Sequence, residues 1–215
     1  HHLRACGGPG HTRTHGANQS QQCAPSAPTT TTPAAVLAAG KHVDLSQTTA
    51  LLLGGTGPVG QRAAQILTNL GATVRIGTRS AAKAEATCAA VRSKVEGANV
   101  SAHETGTPEG LAAAADGAEV IIATGAAGIQ LLSSEQRATL GSLKVAIDLN
   151  AVPPVGIEGV EVFDKAVEQN GVFCYGAIGV GGTKMKIHKA AVQKLFTAND
   201  LLLDTAAVFE IGQNL

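Results

Sequence analysis

The pattern GTGPVG at residues 55–60 constrains the fold of this chain more than any other feature. It directly follows an apolar run at residues 49–53, which is typical of a strand buried on both faces. It opens a helical pattern at residues 61–70, so the glycines occupy a strand-to-helix turn. In this context a GxGxxG pattern predicts a turn that holds the phosphates of a dinucleotide, with a tight turn lacking a ligand as the alternative.

The rest of the chain continues as strands that alternate with helices. The predicted further strands cover residues 73–77, 99–102, 119–123, 144–149 and 172–175. The predicted further helices cover residues 81–95, 108–115, 134–140 and 184–196, the last with Thr183 as its cap. This alternation predicts an α/β fold of the Rossmann type, a doubly wound parallel sheet.

The first 33 residues differ in composition from the remainder of the chain. They are rich in Gly, Pro, Ser, Thr, Gln and His and have no helical or strand periodicity. We expect residues 1–33 to be a disordered or non-native segment. A short helix is predicted at residues 33–39, and residues 34–215 are expected to form the dinucleotide-binding domain with a C-terminal helical segment.

The glycine-rich turn supplies the first set of expected cofactor contacts. Gly55 would permit the tight turn, Gly57 would let the backbone approach the pyrophosphate, and Gly60 would let helix and strand pack closely. The helix N-terminus would add unpaired N–H groups and partial positive charge. The predicted phosphate-binding residues are Gly55, Thr56, Gly57, Pro58, Val59 and Gly60.

The end of the second strand predicts which dinucleotide binds. A site selective for NAD normally carries Asp or Glu there, but this chain has Arg79 between Thr78 and Ser80. A guanidinium pairs well with the 2′-phosphate of NADP, and Lys83 would add a second positive charge. The prediction is therefore NADP, and the alternative is that Arg79 is a solvated surface residue.

Two further strand ends are expected to face the nicotinamide. Thr124, Gly125 and Ala126 follow the fourth strand, and their small size would leave room for the ring and its ribose. Asn150 follows the fifth strand and is placed to touch the nicotinamide end. Asp148 in the same segment has two interpretations of equal weight, a residue of the site and a buried turn-capping residue.

A glycine-rich loop at residues 176–182 precedes the last predicted helix. Lys184 lies in the first turn of that helix, nearest the expected cleft, and His188 shares its face. The alternative is that both side chains belong to a solvated basic helix face.

Charge and composition exclude several functions. Lys plus Arg and Asp plus Glu both number 16, so the formal charge is zero and neither nucleic acid nor an anionic membrane is an expected partner. No apolar run reaches the length of a membrane span, and no secretory leader opens the sequence. The four cysteines are scattered without metal-ligand spacing, so we expect reduced thiols and no metal site.

Taken together, these motifs resemble the NADP-dependent methylene-tetrahydromethanopterin dehydrogenases of bacterial one-carbon metabolism. The matching segments are LLLGGTGPVGQRAAQIL, RIGTRS, IDLNAVPPVGIEGVEVFDKA and YGAIGVGGTKMKIHKAAVQKLF, and the last two are far more specific than the glycine pattern. The resemblance covers roughly Thr29 to the C-terminus.

The resemblance implies an activity and its participants. The expected reaction moves a hydride from the methylene carbon of a tetrahydromethanopterin-type C1 carrier to NADP, leaving a methenyl cation. It implies that Lys184 lies near the reacting pterin, where it would orient the substrate. It also implies a cytoplasmic homo-oligomer.

Residues 1 to about 28 do not resemble the separate N-terminal α/β domain of that family, and the single methionine is Met185. We therefore expect a truncated or mis-joined reading frame. Two alternatives stay open, a methylene-tetrahydrofolate dehydrogenase and a non-catalytic NADP-binding fragment.

Overall fold

The computed structural model describes residues 27–197 and 203–215, with only the backbone for residues 27 and 28. The described helices are α1 (Ala27–Ala39), α2 (Pro58–Asn69), α3 (Ala81–Arg92), α4 (Pro108–Ala115), α5 (Ser134–Ala138), α6 (Gly181–Leu195) and α7 (Thr205–Gln213), with a 3-10 turn at Leu45–Gln47. The strands are β1 (Thr49–Leu53), β2 (Thr73–Thr78), β3 (Val100–Glu104), β4 (Val120–Ala123), β5 (Val145–Asp148), β6 (Lys165–Gln169) and β7 (Val172–Tyr175).

All seven strands form one sheet, in the order β3-β2-β1-β4-β5-β7-β6. Every neighbouring pair is parallel except β6 with β7. Leu51 of β1 pairs with Arg75 on one side and Ile121 on the other, so the strand order reverses between β1 and β4. The predicted Rossmann-type fold is confirmed, and its ligand crevice is expected at the carboxyl edge beside β1 and β4.

The central strands are apolar throughout because helices cover both faces of the sheet. Ala50 and Leu52 belong to one core cluster, which includes residues of α1, α2, α3, α6 and α7. Leu51 and Leu53 point to the opposite face and join a second cluster with Leu111 of α4. Side chains of the run TALLL therefore pack into both core clusters. This packing fixes the position of the glycine-rich turn that follows.

The first helix begins at Ala27, six residues before the predicted start at residue 33. Residues 27–33 therefore belong to the folded domain, while residues 1–26 of the predicted disordered segment lie outside the described residues. Thr30, Thr32 and Val36 are essentially fully buried, because α1 is enclosed by α2, α6 and α7. Threonine is a poor helix former, so burial rather than local propensity stabilises this helix.

An edge hairpin was not predicted. Strand β6 turns into β7 through Asn170 and Gly171, both of which have positive φ angles of 53° and 80°. This is the Asn-Gly signal of a two-residue hairpin turn, and it was present in the sequence. The strand itself gave no hydrophobic alternation because β6 is exposed on nearly all its length.

The C-terminal helices also differ from the prediction. Helix α6 begins at Gly181, and Val180 precedes it without a side-chain cap, so the predicted cap at Thr183 is wrong. Helix α7 was not predicted, although Asp204 caps it by accepting a hydrogen bond from the N–H of Ala207. No helix within the described ranges is both long and apolar enough to cross a membrane.

Candidate dinucleotide-binding site

The turn after β1 is closed by a glycine in the left-handed region. Gly54 has a φ of 67°, so the residue that permits the tight turn is Gly54 and not Gly55 as predicted. Gly55 is a packing position, since a Cβ atom there would lie 3.0 Å from the carbonyl oxygen of Leu52.

The N-terminus of α2 is open to a ligand. Gly57 precedes the helix without a side-chain cap, and a Cβ atom on Gly57 would meet no other atom within 4 Å. Pro58 at the first helical position has no N–H, and the next amides of a first helical turn lack intrahelical partners. A Cβ atom on Gly60, in contrast, would lie 2.4 Å from the carbonyl oxygen of Gly55. Gly60 is therefore a close-packing position, and the space at Gly57 is large enough for a phosphate group to approach the backbone.

Two side chains fix the other predicted residues of this turn. Gln61 donates a hydrogen bond from Nε2 to the carbonyl oxygen of Thr56 at 2.8 Å. The hydroxyl of Thr32 in α1 donates a hydrogen bond to the carbonyl oxygen of Val59 at 3.4 Å. Both contacts use carbonyl oxygens and occupy no N–H group of the turn, whereas the N–H of Gly55 donates to the carbonyl oxygen of Gly77 at 3.3 Å.

Positive charge without an acidic partner lies at the end of β2. Arg79 is exposed, and its backbone lies against Gly106 in the loop after β3. Among the residues that the structure describes, the one ion pair joins Lys144 and Glu119, so neither Arg79 nor Lys83 is neutralised by a carboxylate. The β2 end therefore carries two cationic side chains that have no described acidic partner.

Ser80 and Thr78 hold the β2 end in place. The Ser80 hydroxyl caps α3 by accepting a hydrogen bond from the N–H of Lys83 at 3.4 Å. The Thr78 carbonyl accepts a hydrogen bond from the N–H of Thr105, which ties the loops after β2 and β3 together. Both predicted residues thus have structural contacts at the edge where a ligand would lie.

The β4 end is fastened to β1. The N–H of Thr124 donates to the carbonyl oxygen of Leu53 at 2.8 Å, and its hydroxyl lies 3.2 Å from the same oxygen. Gly125 then passes directly beside Gly54. Ala126 is exposed, whereas the side chain of Leu131 lies against Gly125, 2.7 Å from where its Cβ atom would be.

Asn150 joins the β4 and β5 loops. Its side-chain oxygen accepts a hydrogen bond from the N–H of Val152 at 3.1 Å, and its Nδ2 lies 3.5 Å from the carbonyl oxygen of Ala126. Only 8% of the residue is exposed. Asn150 therefore ties the loop after β5 to the loop after β4.

Asp148 is a buried turn-capping residue, which is one of the two interpretations that the sequence allowed. Its oxygens accept hydrogen bonds from the N–H groups of Asn150 at 2.9 Å and Ile157 at 2.8 Å. Burial raises the pKa of Asp148, while the backbone N–H groups of Ile157, Asn150 and Gly156 oppose that rise.

The glycine-rich loop before α6 is closely packed. A Cβ atom on Gly176 would lie 2.0 Å from the carbonyl oxygen of Glu161, and one on Gly179 would lie 1.6 Å from that of Asp164. The N–H of Gly176 also donates to the carbonyl oxygen of Asp164 at 2.9 Å. These glycines therefore serve backbone packing rather than flexibility.

Lys184 lies half-buried in the first turn of α6, directly after this loop. Because β7 is parallel to β5, the start of α6 is at the same carboxyl edge as the glycine-rich turn. No carboxylate pairs with Lys184 in the part of the chain that the structure describes. His188, one turn further on, is also half-buried.

A feature without a sequence signal lies at the same edge. A cavity of about 290 Å³ separates the loop after β3 from the loop after β4, and its lining includes Thr105, Thr107, Gln130 and Ser133. No glycine motif or charge marked these residues. Two other cavities, of about 420 and 520 Å³, flank α7 and contain none of the predicted cofactor residues. No described group of three or more His, Cys, Asp or Glu side chains could hold a metal ion.

The sheet order and the open helix N-terminus define a protein of the Rossmann class. Solved structures share this fold, including a transhydrogenase from Sinorhizobium meliloti with a TM-score of 0.56, which matches 92% of this chain and 57% of its own at 20% identity. An L-alanine dehydrogenase has a TM-score of 0.54 and matches 87% of this chain and 64% of its own at 17% identity.

Two curated proteins of Methylorubrum extorquens are similar to this chain in sequence. The bifunctional protein MdtA is 35% identical over 145 residues, which are 67% of this chain and 50% of that protein. An NAD(P)-dependent methylenetetrahydromethanopterin dehydrogenase is 33% identical over 119 residues, 54% of this chain and 40% of that protein. The chain thus spans half or less of the length of these relatives. No family model matches the chain.

Proposed function

We propose that this chain is the NADP-binding domain of a methylene-tetrahydromethanopterin dehydrogenase. Sequence similarity to a dehydrogenase of that name and to the bifunctional protein MdtA supports the substrate class. The Rossmann class of the fold and the geometry of the glycine-rich turn support the cofactor class.

One observation carries the choice of NADP. Arg79 stands at the β2 end where a carboxylate would select NAD, and no described carboxylate neutralises it. In the proposal the first turn of α2 binds the pyrophosphate, while Arg79 and Lys83 bind the 2′-phosphate with Thr78 and Ser80 beside them.

The proposed reaction depends on the positioning of the cofactor and the substrate more than on proton transfer by a side chain. When bound, NADP accepts the hydride that leaves the methylene carbon of the C1 carrier. The loops fixed by Thr124 and Asn150 orient the nicotinamide end, because each is bonded to its neighbour at the carboxyl edge. The resulting methenyl cation is stabilised by the adjacent nitrogens of the pterin, so no side chain has to carry a proton.

Lys184 is the residue proposed to orient the pterin. Its half-buried position at the start of α6 and its lack of a described acidic partner leave its ammonium available to a substrate. The proposal includes a cytoplasmic homo-oligomer. Size-exclusion chromatography with light scattering tests the oligomeric state.

Calorimetric titration of this chain with NADP and with NAD tests the cofactor assignment. We expect binding with a preference for NADP, whereas no binding or a preference for NAD contradicts it. Assays with methylene-tetrahydromethanopterin and methylene-tetrahydrofolate then test the carrier. Faster reduction of NADP with the folate substrate would favour the folate enzyme, and binding without turnover on either would favour a non-catalytic domain.

A further inference from the structure

The side chain of Asp148 places a carboxylate inside the protein at the end of β5. Only 1% of the residue is exposed. Oδ1 accepts the N–H of Asn150 and Oδ2 accepts the N–H of Ile157. No cationic side chain pairs with it among the described residues. Backbone amides alone therefore balance its charge.

The hydrogen bonds of Asp148 favour its ionised form. Each oxygen accepts a backbone N–H, and these donors oppose the rise in the pKa of Asp148 that burial causes. The chain also closes tightly on the group, since a Cβ atom on Gly156 would lie 3.0 Å from Oδ1 and 3.0 Å from the Cβ of Ala123. Water has no room on this side, so the field of the charge is weakly screened.

Asp148 lies where the proposed function puts the nicotinamide half of NADP. Arg79 at the β2 end fixes the adenosine half on one side of β1, and the other half then extends over β4 and β5. Asn150, which bonds Asp148 through its N–H, also lies against the carbonyl of Ala126 at the β4 end. The nicotinamide ring is a cation in NADP⁺ and neutral in NADPH.

We propose that Asp148 determines the preference of the site for the oxidised cofactor. Its buried negative charge attracts the cationic ring of NADP⁺ and has no such attraction for the neutral ring of NADPH. This inference rests on the proposed function and deepens it. It assigns Asp148 an electrostatic role in addition to its capping of the turn.

The test compares the dissociation constants of NADP⁺ and NADPH for the whole chain by calorimetry. We expect the unaltered chain to bind NADP⁺ at least as tightly as NADPH. Asp148→Asn removes the charge and keeps the shape, at the cost of one of the two accepted N–H bonds, and should weaken NADP⁺ about fivefold more than NADPH. Asp44→Asn is the matched control, because Asp44 also accepts a backbone N–H, from Ser46, but lies ahead of β1 at the amino edge.

Three outcomes decide against the inference or its basis. A clear preference of the unaltered chain for NADPH overturns it, and so does an equal loss of both forms in Asp148→Asn, which would indicate a purely structural role. If circular dichroism shows that Asp148→Asn does not fold, Asp148→Ser replaces it, since a small hydroxyl still accepts one N–H. Failure of the unaltered chain to bind either form contradicts the proposed function instead.

Discussion

Gly54 and Gly125 bring the backbones after β1 and β4 into direct contact, since a Cβ atom on Gly54 would lie 2.5 Å from the Cα of Gly125. The contact lies where the strand order reverses. The hydrogen bond from the N–H of Thr124 to the carbonyl of Leu53 holds it together. The floor of the crevice is therefore made of backbone, which gives a ligand close access to the sheet edge.

Arg79→Ala should weaken NADP by about tenfold or more and leave NAD nearly unchanged, because one charge-assisted contact to the 2′-phosphate is lost. Calorimetric titration with both nucleotides measures the effect. Lys94→Ala is the matched control, since Lys94 is also exposed but lies beyond the end of α3. Equal losses for NADP and NAD would remove Arg79 from the specificity role.

Gly57→Ala and Gly60→Ala should separate binding from folding. A methyl group on Gly57 meets no protein atom, so the free energy of unfolding should change by no more than about 1 kcal/mol, the cost of Ala at the start of α2, while NADP affinity falls at least about tenfold. A methyl group on Gly60 collides with the Gly55 backbone and should destabilise the fold itself. Urea unfolding and calorimetry check both variants. Normal NADP affinity in Gly57→Ala would show that the phosphate turn lies elsewhere.

Lys184→Ala should reduce turnover of the C1 substrate by about tenfold or more, with the dissociation constant of NADP within about twofold of its original value. Steady-state kinetics of the active enzyme and calorimetry give the two numbers. Lys189→Ala is the control, because Lys189 lies on the same helix and is exposed. A large loss of NADP binding in Lys184→Ala would move this lysine to the cofactor site.

The chain should become less stable as the pH falls below about 6.5, the ordinary pKa of histidine. His42 stacks on Phe173 at 3.9 Å and its Nε2 shares a 2.7 Å hydrogen bond with the Tyr175 hydroxyl. Burial, and secondarily the charge of Lys41, lower the pKa of His42 in the folded chain. In the unfolded chain the pKa of His42 is about 6.5. As the pH falls through that value, the unfolded chain binds more protons than the folded chain, so protonation favours unfolding.

Urea unfolding at about pH 7.5 and about pH 5.5 measures this loss, and His42→Gln should reduce the difference between the two conditions. Burial and the charge of Arg75 also lower the pKa of His103, which acts in the same direction. Any pH dependence of stability that persists in His42→Gln is therefore assigned to other groups, including His103. An identical pH dependence in both proteins would show that His42 does not contribute.

Gly179→Ala should lower the free energy of unfolding by about 2 kcal/mol or more, because its methyl group would overlap the carbonyl oxygen of Asp164. Gly182→Ala should change it by no more than about 1 kcal/mol, since Gly182 lies inside α6 with open space around it. Urea unfolding of both variants provides the comparison. Similar values for the two would show that the loop is loosely packed.

The location of the candidate site in the fold was predictable from sequence, because local pattern and sheet topology coincide there. The glycine spacing, Arg79 at the second strand end and Asn150 at the fifth are fixed by chain position, because parallel strands bring their carboxyl ends to one edge. The predicted tight turn at Gly55 was off by one residue, since the pattern does not say which glycine adopts a positive φ.

Other features depended on contacts between distant segments. The burial of Thr30 and Thr32 in a helix comes from α2, α6 and α7, and the packing of Gly179 comes from Asp164. The capping role of Asp148 likewise depends on Ile157, which lies nine residues further along the chain.

The sequence by itself determined the order of strands and helices, the phosphate turn and the absence of a carboxylate at the β2 end. These properties are local, because hydrophobic periodicity and glycine spacing act over a few residues. Only the tertiary structure decided which polar groups are buried and which glycines are packing positions. Burial and close approach depend on residues far apart in the chain, and no local pattern encodes those distances.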